Sequence, residues 1–282
     1  MWYSSFKKIS IGFLFAVALG LLVVATQYDL AINQALYSPQ NGFAIFMEAV
    51  GWWPLYIPSL IWGGLLLRRN HKPLYGFLIA LASATALWIP TFHYFEYRGW
   101  FVQFPWWPKA ILICITFLAS IWFAGIPGRR TSMRLSLLCC AGFWLMLINN
   151  VVLQLIKLLW NRTRFDDMVA LGNFDKFSVW YMPFGNGGSS FPSAHTAAAA
   201  GILLILLAAD IFPFVRRNML WFSLLCCGYI GTMIISRVII GRHFLSDTII
   251  AALLVFCMFL YVKNSSLWKF ALKRLQDRLT SL

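Results

Sequence analysis

Charge is scarce in this sequence of 282 residues, of which 11% are charged and nine are Asp or Glu. An average soluble domain has about 25% charged residues. A soluble chain that is 61% hydrophobic could not cover its own surface with polar groups. The sequence therefore excludes an ordinary soluble domain and predicts an all-α, polytopic membrane helix bundle. No internal repeat, low-complexity linker or second domain is evident.

Metal-ligand patterns are also missing. None of the six cysteines has metal-ligand spacing to any of the four histidines. All six fall within apolar runs, and the adjacent pairs are too close together for an ordinary disulfide. We therefore expect them to be small core residues. They are Cys114, Cys139, Cys140, Cys226, Cys227 and Cys257.

The excess of positive charge has a topological explanation. A net charge of +14 would suggest nucleic acid as the partner of a soluble protein. Here Lys and Arg collect in short connections and near the C-terminal end, as membrane topology requires. We therefore expect a lipid bilayer and no nucleic acid among the partners, and the sequence leaves the oligomeric state open.

Long apolar runs occupy most of the chain. About 20 apolar residues cross a bilayer, and eight segments are long enough. Pro54 and Pro58 interrupt the second segment. The first follows Lys7 and Lys8 as a signal peptide would, but it lacks a clear cleavage site, so we interpret it as a span. The segments are Ile9–Thr26, Val50–Leu67, Leu74–Phe92, Lys109–Ile126, Leu135–Trp160, Thr196–Phe212, Leu220–Arg237 and Phe244–Val262.

The charges between these segments predict the orientation. The connection Gln27–Ala49 carries Asp29 and Glu48 but no Lys or Arg, and five groups of cations fall on the opposite side. The positive-inside rule then places both termini in the cytoplasm, and an even number of spans agrees with two termini on the same side. The cation groups are Lys7/Lys8, Arg68/Arg69/Lys72, Arg129/Arg130/Arg134, Arg216/Arg217 and the tail Lys263–Arg278.

The tail has apolar residues at helical spacing with basic residues between them. This pattern fits a helix lying on the anionic cytoplasmic leaflet. It fits an ordinary solvated end equally well. The apolar positions are Trp268, Leu272, Leu275 and Leu279.

Several cations depart from the positive-inside pattern and fall on the outer side of the membrane. Ionisable groups near membrane depth are costly and are more often functional than incidental. Lys157 and Arg164 are seven residues apart, so both point the same way if the helix continues. His243 and Asp247 are one helical turn apart. The cations concerned are Lys157, Arg162, Arg164, Lys176, Arg237 and Arg242.

The stretch Ser190–Thr196 adds a third group of polar residues on the same face. It places Ser193 and His195 directly before an apolar helix and beside the flexible run 185–190. The first N–H groups of a helix lack partners and its dipole is positive at that end, so phosphate binds there readily. Taken singly, each residue has an ordinary explanation, such as a snorkelling lysine or a solvent-exposed histidine. Their combination on one face favours a site.

The residue types suit phosphoryl transfer. Three cations and helix-terminal N–H groups can neutralise the oxygens of a transferring phosphoryl group. One histidine can attack phosphorus, and a carboxylate one turn away can hold its tautomer. The other can protonate the leaving oxygen and then deprotonate water. Cations crowding the pocket oppose a divalent ion, so we expect no metal and no cofactor.

Three motifs resemble the type 2 phosphatidic acid phosphatase superfamily of membrane lipid phosphatases. The family's Lys, six residues, Arg-Pro signature reads Lys157-Leu-Leu-Trp-Asn-Arg-Thr-Arg164-Phe165 here. Pro-Ser-Gly-His reads Pro192-Ser193-Ala194-His195. Ser-Arg, five residues, His, three residues, Asp is intact from Ser236 to Asp247. The resemblance implies a six-helix phosphatase core in residues 74–263. Two additional spans in residues 1–73 and an amphipathic cytoplasmic tail in 264–282 then lie outside that core.

The resemblance also implies roles. His243 would be the nucleophile that forms a phosphohistidine, Asp247 its orienting partner and His195 the general acid and base. Arg242, beside the nucleophile, would be a supporting group. Phosphate would be bound by Lys157, Arg164, Ser193, Ala194 and Arg237. The family needs no metal.

Two positions depart from the family pattern. Phe165 replaces proline, which loosens the turn but removes no charge. Ala194 replaces glycine, which disfavours a positive φ and narrows the approach to phosphate. If this residue must be left-handed, the site is strained or less active.

A site that opens on the membrane predicts a lipid phosphate or diphosphate as substrate. Undecaprenyl diphosphate, phosphatidic acid, phosphatidylglycerol phosphate and lipid A all fit. The charge pattern places the site on the extracytoplasmic side, and the resemblance implies a bacterial inner-membrane protein. Two alternatives stay open: a phosphoryl or phosphatidyl transferase on the same scaffold, and a lipid transporter without hydrolysis.

Overall fold

The computed structural model describes residues 2–69, 72–101, 105–185 and 187–281. Asn186 of the flexible run and the side chains of Lys7 and Lys8 lie outside the described part. The described chain is a bundle of helices without strands. Its α-helices are α1 (Trp2–Leu36), α2 (Gly42–Val50), α3 (Ile57–Arg69), α4 (Pro73–Tyr97), α5 (Trp106–Phe123), α6 (Arg129–Trp160), α7 (Phe165–Leu171), α8 (Ala194–Ala200), α9 (Leu204–Leu207), α10 (Pro213–Arg217), α11 (Met219–Ile239), α12 (Leu245–Asn264) and α13 (Ser266–Thr280).

The predicted membrane helix bundle is confirmed. Within the described ranges, six helices are long and apolar enough to cross a membrane. A bent pair, Gly42–Leu55 and Ile57–Arg69, makes a seventh span if it is counted as one, with a bend of 43°. The proline at 54 lies in the short 3-10 helix between α2 and α3, where a proline interrupts regular helical hydrogen bonding. A shorter apolar helix, Ala194–Asp210, corresponds to the remaining predicted segment.

Residues 27–49, which the sequence predicts to be a connection, are mostly helical, so that prediction is wrong. Residues up to Leu36 continue α1, and α2 begins at Gly42. Asp29 and Glu48 are therefore buried inside the bundle, exposed by 2% and 1%, rather than solvated in a loop. Each has a buried arginine as its partner, and that pairing compensates for the burial of its charge.

The expectation that the six cysteines are core residues is wrong for three of them. All six cysteines are free, but Cys114, Cys227 and Cys257 are exposed on the surface of the bundle. They lie on helices α5, α11 and α12, which are apolar enough to cross a membrane. A membrane-facing surface accepts small apolar side chains as a core does, so an apolar run does not distinguish the two positions.

The C-terminal helix α13 packs on the bundle. Trp268 and Leu275 are buried in the same apolar cluster as residues of α8, α9 and α12. The indole N–H of Trp268 donates to Oδ2 of Asp210 over 3.1 Å. The apolar stripe seen in the sequence thus has a partner within the protein, which neither the leaflet nor the solvated alternative foresaw.

A cavity of about 1500 Å³ lies among α3, α4, α6 and α13. Basic side chains, including Arg69, Arg129 and Arg274, line part of it. None of the residues predicted to bind phosphate or act in catalysis lines this cavity. The predicted site instead lies where the C-terminal ends of α6 and α11 meet the N-terminal ends of α8 and α12.

Candidate active site

Helix α6 ends before it reaches Arg164. Asn161 takes a left-handed conformation, with φ 47°, and its N–H donates to the carbonyl of Lys157. Asparagine tolerates this conformation and commonly ends helices. The condition under which Lys157 and Arg164 would share one helix face, a helix that continues to Arg164, is therefore not met. They still converge, because Lys157 Nζ donates to the carbonyl of Ser189 over 2.9 Å and Arg164 Nη2 donates to the Ser189 hydroxyl over 2.8 Å.

This convergence depends on a close approach between two backbone segments. The N–H of Gly188 donates to the carbonyl of Asn161, and the N–H of Ser190 donates to the carbonyl of Arg162, both over 2.9 Å. A Cβ atom at position 188 would lie 2.2 Å from the Arg162 carbonyl oxygen. Glycine is therefore required where the loop crosses the end of α6.

The hairpin between α11 and α12 presents His243. Gly241 has φ 73°, and its carbonyl accepts a hydrogen bond from the N–H of Asp166 over 3.0 Å. The amide Nδ2 of Asn33, on α1, donates to the carbonyl of His243 over 3.2 Å. The N-terminal helix thus braces the turn that carries the predicted nucleophile.

The imidazole of His243 is held by a backbone carbonyl. Its Nδ1 lies 2.6 Å from the carbonyl oxygen of Ser190 and 3.8 Å from Oδ2 of Asp247. Since a carbonyl oxygen only accepts hydrogen bonds, Nδ1 carries the proton and Nε2 keeps a free lone pair. Burial lowers the pKa of His243 from 6.5 to about 4, and the cations Lys157 and Arg164 act in the same direction. The ring is therefore neutral at pH 7.

Asp247 reaches this imidazole through Ser190. Its Oδ2 accepts hydrogen bonds from the Ser190 hydroxyl over 2.5 Å and from the N–H of Phe244 over 2.9 Å. Its Oδ1 accepts from Nη1 of Arg162 over 2.5 Å. The direct carboxylate–imidazole hydrogen bond that the spacing suggested is not formed, because Ser190 lies between the two groups.

The motif around His195 begins helix α8. Ser193 is its N-cap, and the Ser193 hydroxyl oxygen accepts a hydrogen bond from the N–H of Thr196 over 3.3 Å. Ala194 is the first helical residue and has no positive φ, so alanine fits this position without the strain considered above. His195 packs edge-on against the Tyr94 ring, with centroids 5.1 Å apart. Arg237, His243, Lys157 and Arg164 act electrostatically on its imidazole.

Arg237 is the most deeply buried of the three cations predicted to bind phosphate. Its side chain is fully enclosed, and Nη2 donates to the carbonyl of Ala44 over 2.8 Å. Its Nη1 lies 3.2 Å from Oε1 of Glu48 without the geometry of a hydrogen bond. The Nε of Arg164 is likewise buried without a hydrogen-bond partner among the described residues. Buried N–H donors are normally satisfied, so these two are available to donate to an anion.

Phe165, the second departure from the motif, starts α7 and is 2% exposed. Its ring packs against Tyr37 at 5.2 Å and against Phe244 at 6.3 Å between centroids. The aromatic side chain therefore joins the segment after Arg164 to the hairpin that carries His243. A proline at this position would make the turn rigid, and here the packing of the Phe165 ring holds the segment instead.

The sequence analysis assigned no supporting role to several residues that hold the site in place. Arg162 is fully buried between Asp29 and Asp247, and Ser190 joins Asp247 to His243. Glu48 contacts Arg237 from a helix outside the motifs. The signal available was the scarcity of acidic residues, since Asp29 and Glu48 are two of only nine in an apolar chain.

These features define a polytopic helical membrane protein with two histidines and three cations gathered at one end of the bundle. Residues 138–271 match the PAP2 superfamily, so the chain carries a domain of this superfamily, and the resemblance drawn from the motifs is confirmed. The match includes all three motifs. No curated protein and no solved structure matches the chain.

Proposed function

We propose that this protein is an integral membrane lipid phosphatase that hydrolyses a phosphomonoester or diphosphate through a phosphohistidine at His243. The observation that carries the proposal is a pair of buried guanidinium nitrogens that lack a hydrogen-bond acceptor among the described residues, Nη1 of Arg237 and Nε of Arg164, beside two histidines. A phosphate group would supply the missing acceptors. The match of residues 138–271 to the PAP2 superfamily, a phosphatase and phosphotransferase fold, supports the same reaction class.

In the first step, Nε2 of His243 attacks phosphorus and the bond to the leaving oxygen breaks. Because Nδ1 of His243 carries the proton and donates it in a hydrogen bond to the Ser190 carbonyl, Nε2 remains available as the attacking atom. His195 donates a proton to the leaving oxygen, so that an alcohol or a phosphate departs. The three cations Lys157, Arg164 and Arg237, with Ser193 and the N–H of Ala194, stabilise the equatorial oxygens.

In the second step, His195 takes a proton from water and the resulting hydroxide attacks phosphorus. The phosphorus–nitrogen bond breaks, and inorganic phosphate leaves with His243 restored as a neutral imidazole. The partial exposure of Lys157, Arg164 and His195 leaves one side of the group open to substrate, whereas Arg237 and His243 are buried beneath it. No step uses a metal ion.

The proposed substrate is a membrane lipid phosphate or diphosphate: undecaprenyl diphosphate, phosphatidic acid, phosphatidylglycerol phosphate or lipid A. The charge pattern supports a site on the extracytoplasmic side with both termini in the cytoplasm, and we propose the bacterial inner membrane as its location. A lipid-bound substrate reaches a site at the end of a membrane bundle by diffusing in the bilayer plane.

The test uses the purified protein in detergent with EDTA present. Wild type should release orthophosphate from short-chain phosphatidic acid or undecaprenyl diphosphate. His243→Ala should abolish release, and His195→Ala should reduce it by roughly 100- to 10,000-fold. His93→Ala is the matched control, since His93 is exposed on α4 and should retain wild-type activity. Absence of phosphate release by wild type from these lipids would refute the proposal.

A further inference from the structure

A carboxylate outside the superfamily match lies against the proposed phosphate site. Glu48, on α2, is 1% exposed and faces three arginines. Its nearest contact is Nε of Arg98, which donates to Oε2 over 2.6 Å. Oε1 lies 3.2 Å from Nη1 of Arg237 and 3.5 Å from Nε of Arg242.

Two residues of α2, Ala44 and Glu48, contact the same guanidinium group, that of Arg237. Arg98 binds both carboxylate oxygens of Glu48, with Nη2 donating to Oε1 over 3.3 Å, and so holds the carboxylate plane. One helical turn earlier on the same helix, the carbonyl of Ala44 accepts from Nη2 of Arg237. Because α2 contacts both terminal nitrogens, it determines where the guanidinium lies and how it is rotated.

The charge balance leaves this cluster electropositive. Glu48 faces three guanidinium groups, and Asp166 pairs with one of them, Arg242, over 3.1 Å, so one positive charge remains for an anion to neutralise. The Nη1 atom of Arg237 is close to Glu48 but makes no hydrogen bond to it. A carboxylate that bound Nη1 fully would compete with phosphate, whereas this one orients the guanidinium and leaves a donor free.

We propose that Glu48 is a positioning residue for Arg237, which makes the N-terminal helices part of the active centre. This inference rests on the proposed function of Arg237 in binding phosphate. A guanidinium misplaced by about 1 Å would lose its alignment with the transferring phosphoryl group, and such displacements cost on the order of 100-fold. Glu48 itself touches neither substrate nor the reacting atoms.

The variants are Glu48→Gln, which removes the charge, and Glu48→Asp, which keeps the charge but shortens the side chain. Each should lower kcat/KM by roughly 10- to 100-fold and should weaken inhibition by inorganic phosphate. Glu96→Gln is the matched control, because it removes a carboxylate from the separate, partly exposed pair with Lys109. That control should retain wild-type values.

A double-mutant cycle with Arg237→Lys separates positioning from general stabilisation. If Glu48 acts through Arg237, Glu48→Gln should have little further effect on kcat/KM once position 237 is lysine. Effects that multiply independently would overturn the inference, as would wild-type kinetics in both Glu48 variants. Loss of folded protein in both variants would also overturn it, in favour of a purely structural role.

A calorimetric measurement of inorganic phosphate binding to the full-length protein tests the role of Glu48 separately from the proposed function. Weaker phosphate binding by Glu48→Gln than by wild type supports positioning even if no lipid is hydrolysed. If wild type hydrolyses lipid phosphate and both Glu48 variants match it, the inference fails and the proposed function stands. If wild type binds phosphate but releases none from lipid, the proposed function fails.

Discussion

Nη1 of Arg162 lies 2.5 Å from Oδ1 of Asp247, and both side chains are fully enclosed. Nη2 of the same arginine lies 3.1 Å from Oδ2 of Asp29, on α1. The guanidinium also covers the Phe244 ring, with its carbon 4.2 Å from the ring centroid. Arg162 therefore joins the N-terminal helix, the end of α6 and the start of α12 beneath the proposed nucleophile.

We expect Arg162→Gln to destabilise the fold much more than Arg164→Gln. The first change leaves the carboxylates of Asp29 and Asp247 buried without their cation, which costs roughly 3–5 kcal/mol. Arg164 is partly exposed and contacts the Ser189 hydroxyl, so its loss should weaken phosphate binding with little change in stability. Thermal unfolding in detergent and inhibition by inorganic phosphate measure the two effects. Equal unfolding midpoints for the two variants would contradict this division of roles.

Ser190→Ala should lower kcat by roughly 10-fold, about the value of one hydrogen bond to a charged group. The substitution keeps the carbonyl that binds Nδ1 of His243 but removes the hydroxyl that ties the loop to Asp247. Steady-state kinetics with a soluble phosphomonoester measure the effect. Ser120→Ala, which removes a buried hydroxyl on α5, is the control and should match wild type. An unchanged kcat in Ser190→Ala would show that Asp247 does not act through Ser190.

The low pKa of His243 predicts activity in mild acid. Burial raises the free energy of the imidazolium, so the ring stays neutral and nucleophilic as the pH falls from 6.5 towards about 4. Titration of ¹⁵N-labelled histidine by NMR, with His243→Gln used to assign the signal, measures this pKa directly. A midpoint at or above 6.5 would contradict the structure.

The same shift has a consequence for stability. Since the unfolded state binds a proton near pH 6.5 and the folded His243 does not, its contribution to stability is complete above pH 6.5. That contribution falls as the pH drops from 6.5 towards about 4. His243→Gln should remove this part of the pH dependence of the unfolding midpoint.

Gly188→Ala should reduce phosphate release strongly. A Cβ atom there would meet the Arg162 carbonyl at 2.2 Å, so the loop carrying Ser189 and Ser190 would move away from the end of α6. Lys157 and Arg164 would then lose their shared contact. Gly128→Ala is the control, because no atom lies within 4 Å of the added Cβ and φ is −61°. Retention of wild-type activity by Gly188→Ala would show that the loop tolerates the displacement.

The sequence alone determined the membrane class, the approximate helical segments and the superfamily. These follow from local properties, because an apolar run of about 20 residues predicts a span wherever it packs. The motif residues from Lys157 to Asp247 were also identified from the sequence, since their types and spacing are a linear pattern. That His195, His243, Lys157, Arg164 and Arg237 lie together was an inference from shared topology.

Only the tertiary structure decided how those residues are held. The end of α6 at Asn161, the carbonyl of Ser190 on Nδ1 of His243, and the partners of Arg162 are contacts between segments distant in the chain. Glu48 and Arg237 are 189 positions apart, and no spacing rule connects them. Hydrophobicity determines which residues enter the membrane, but the direction of each hydrogen bond depends on which helix ends are packed side by side.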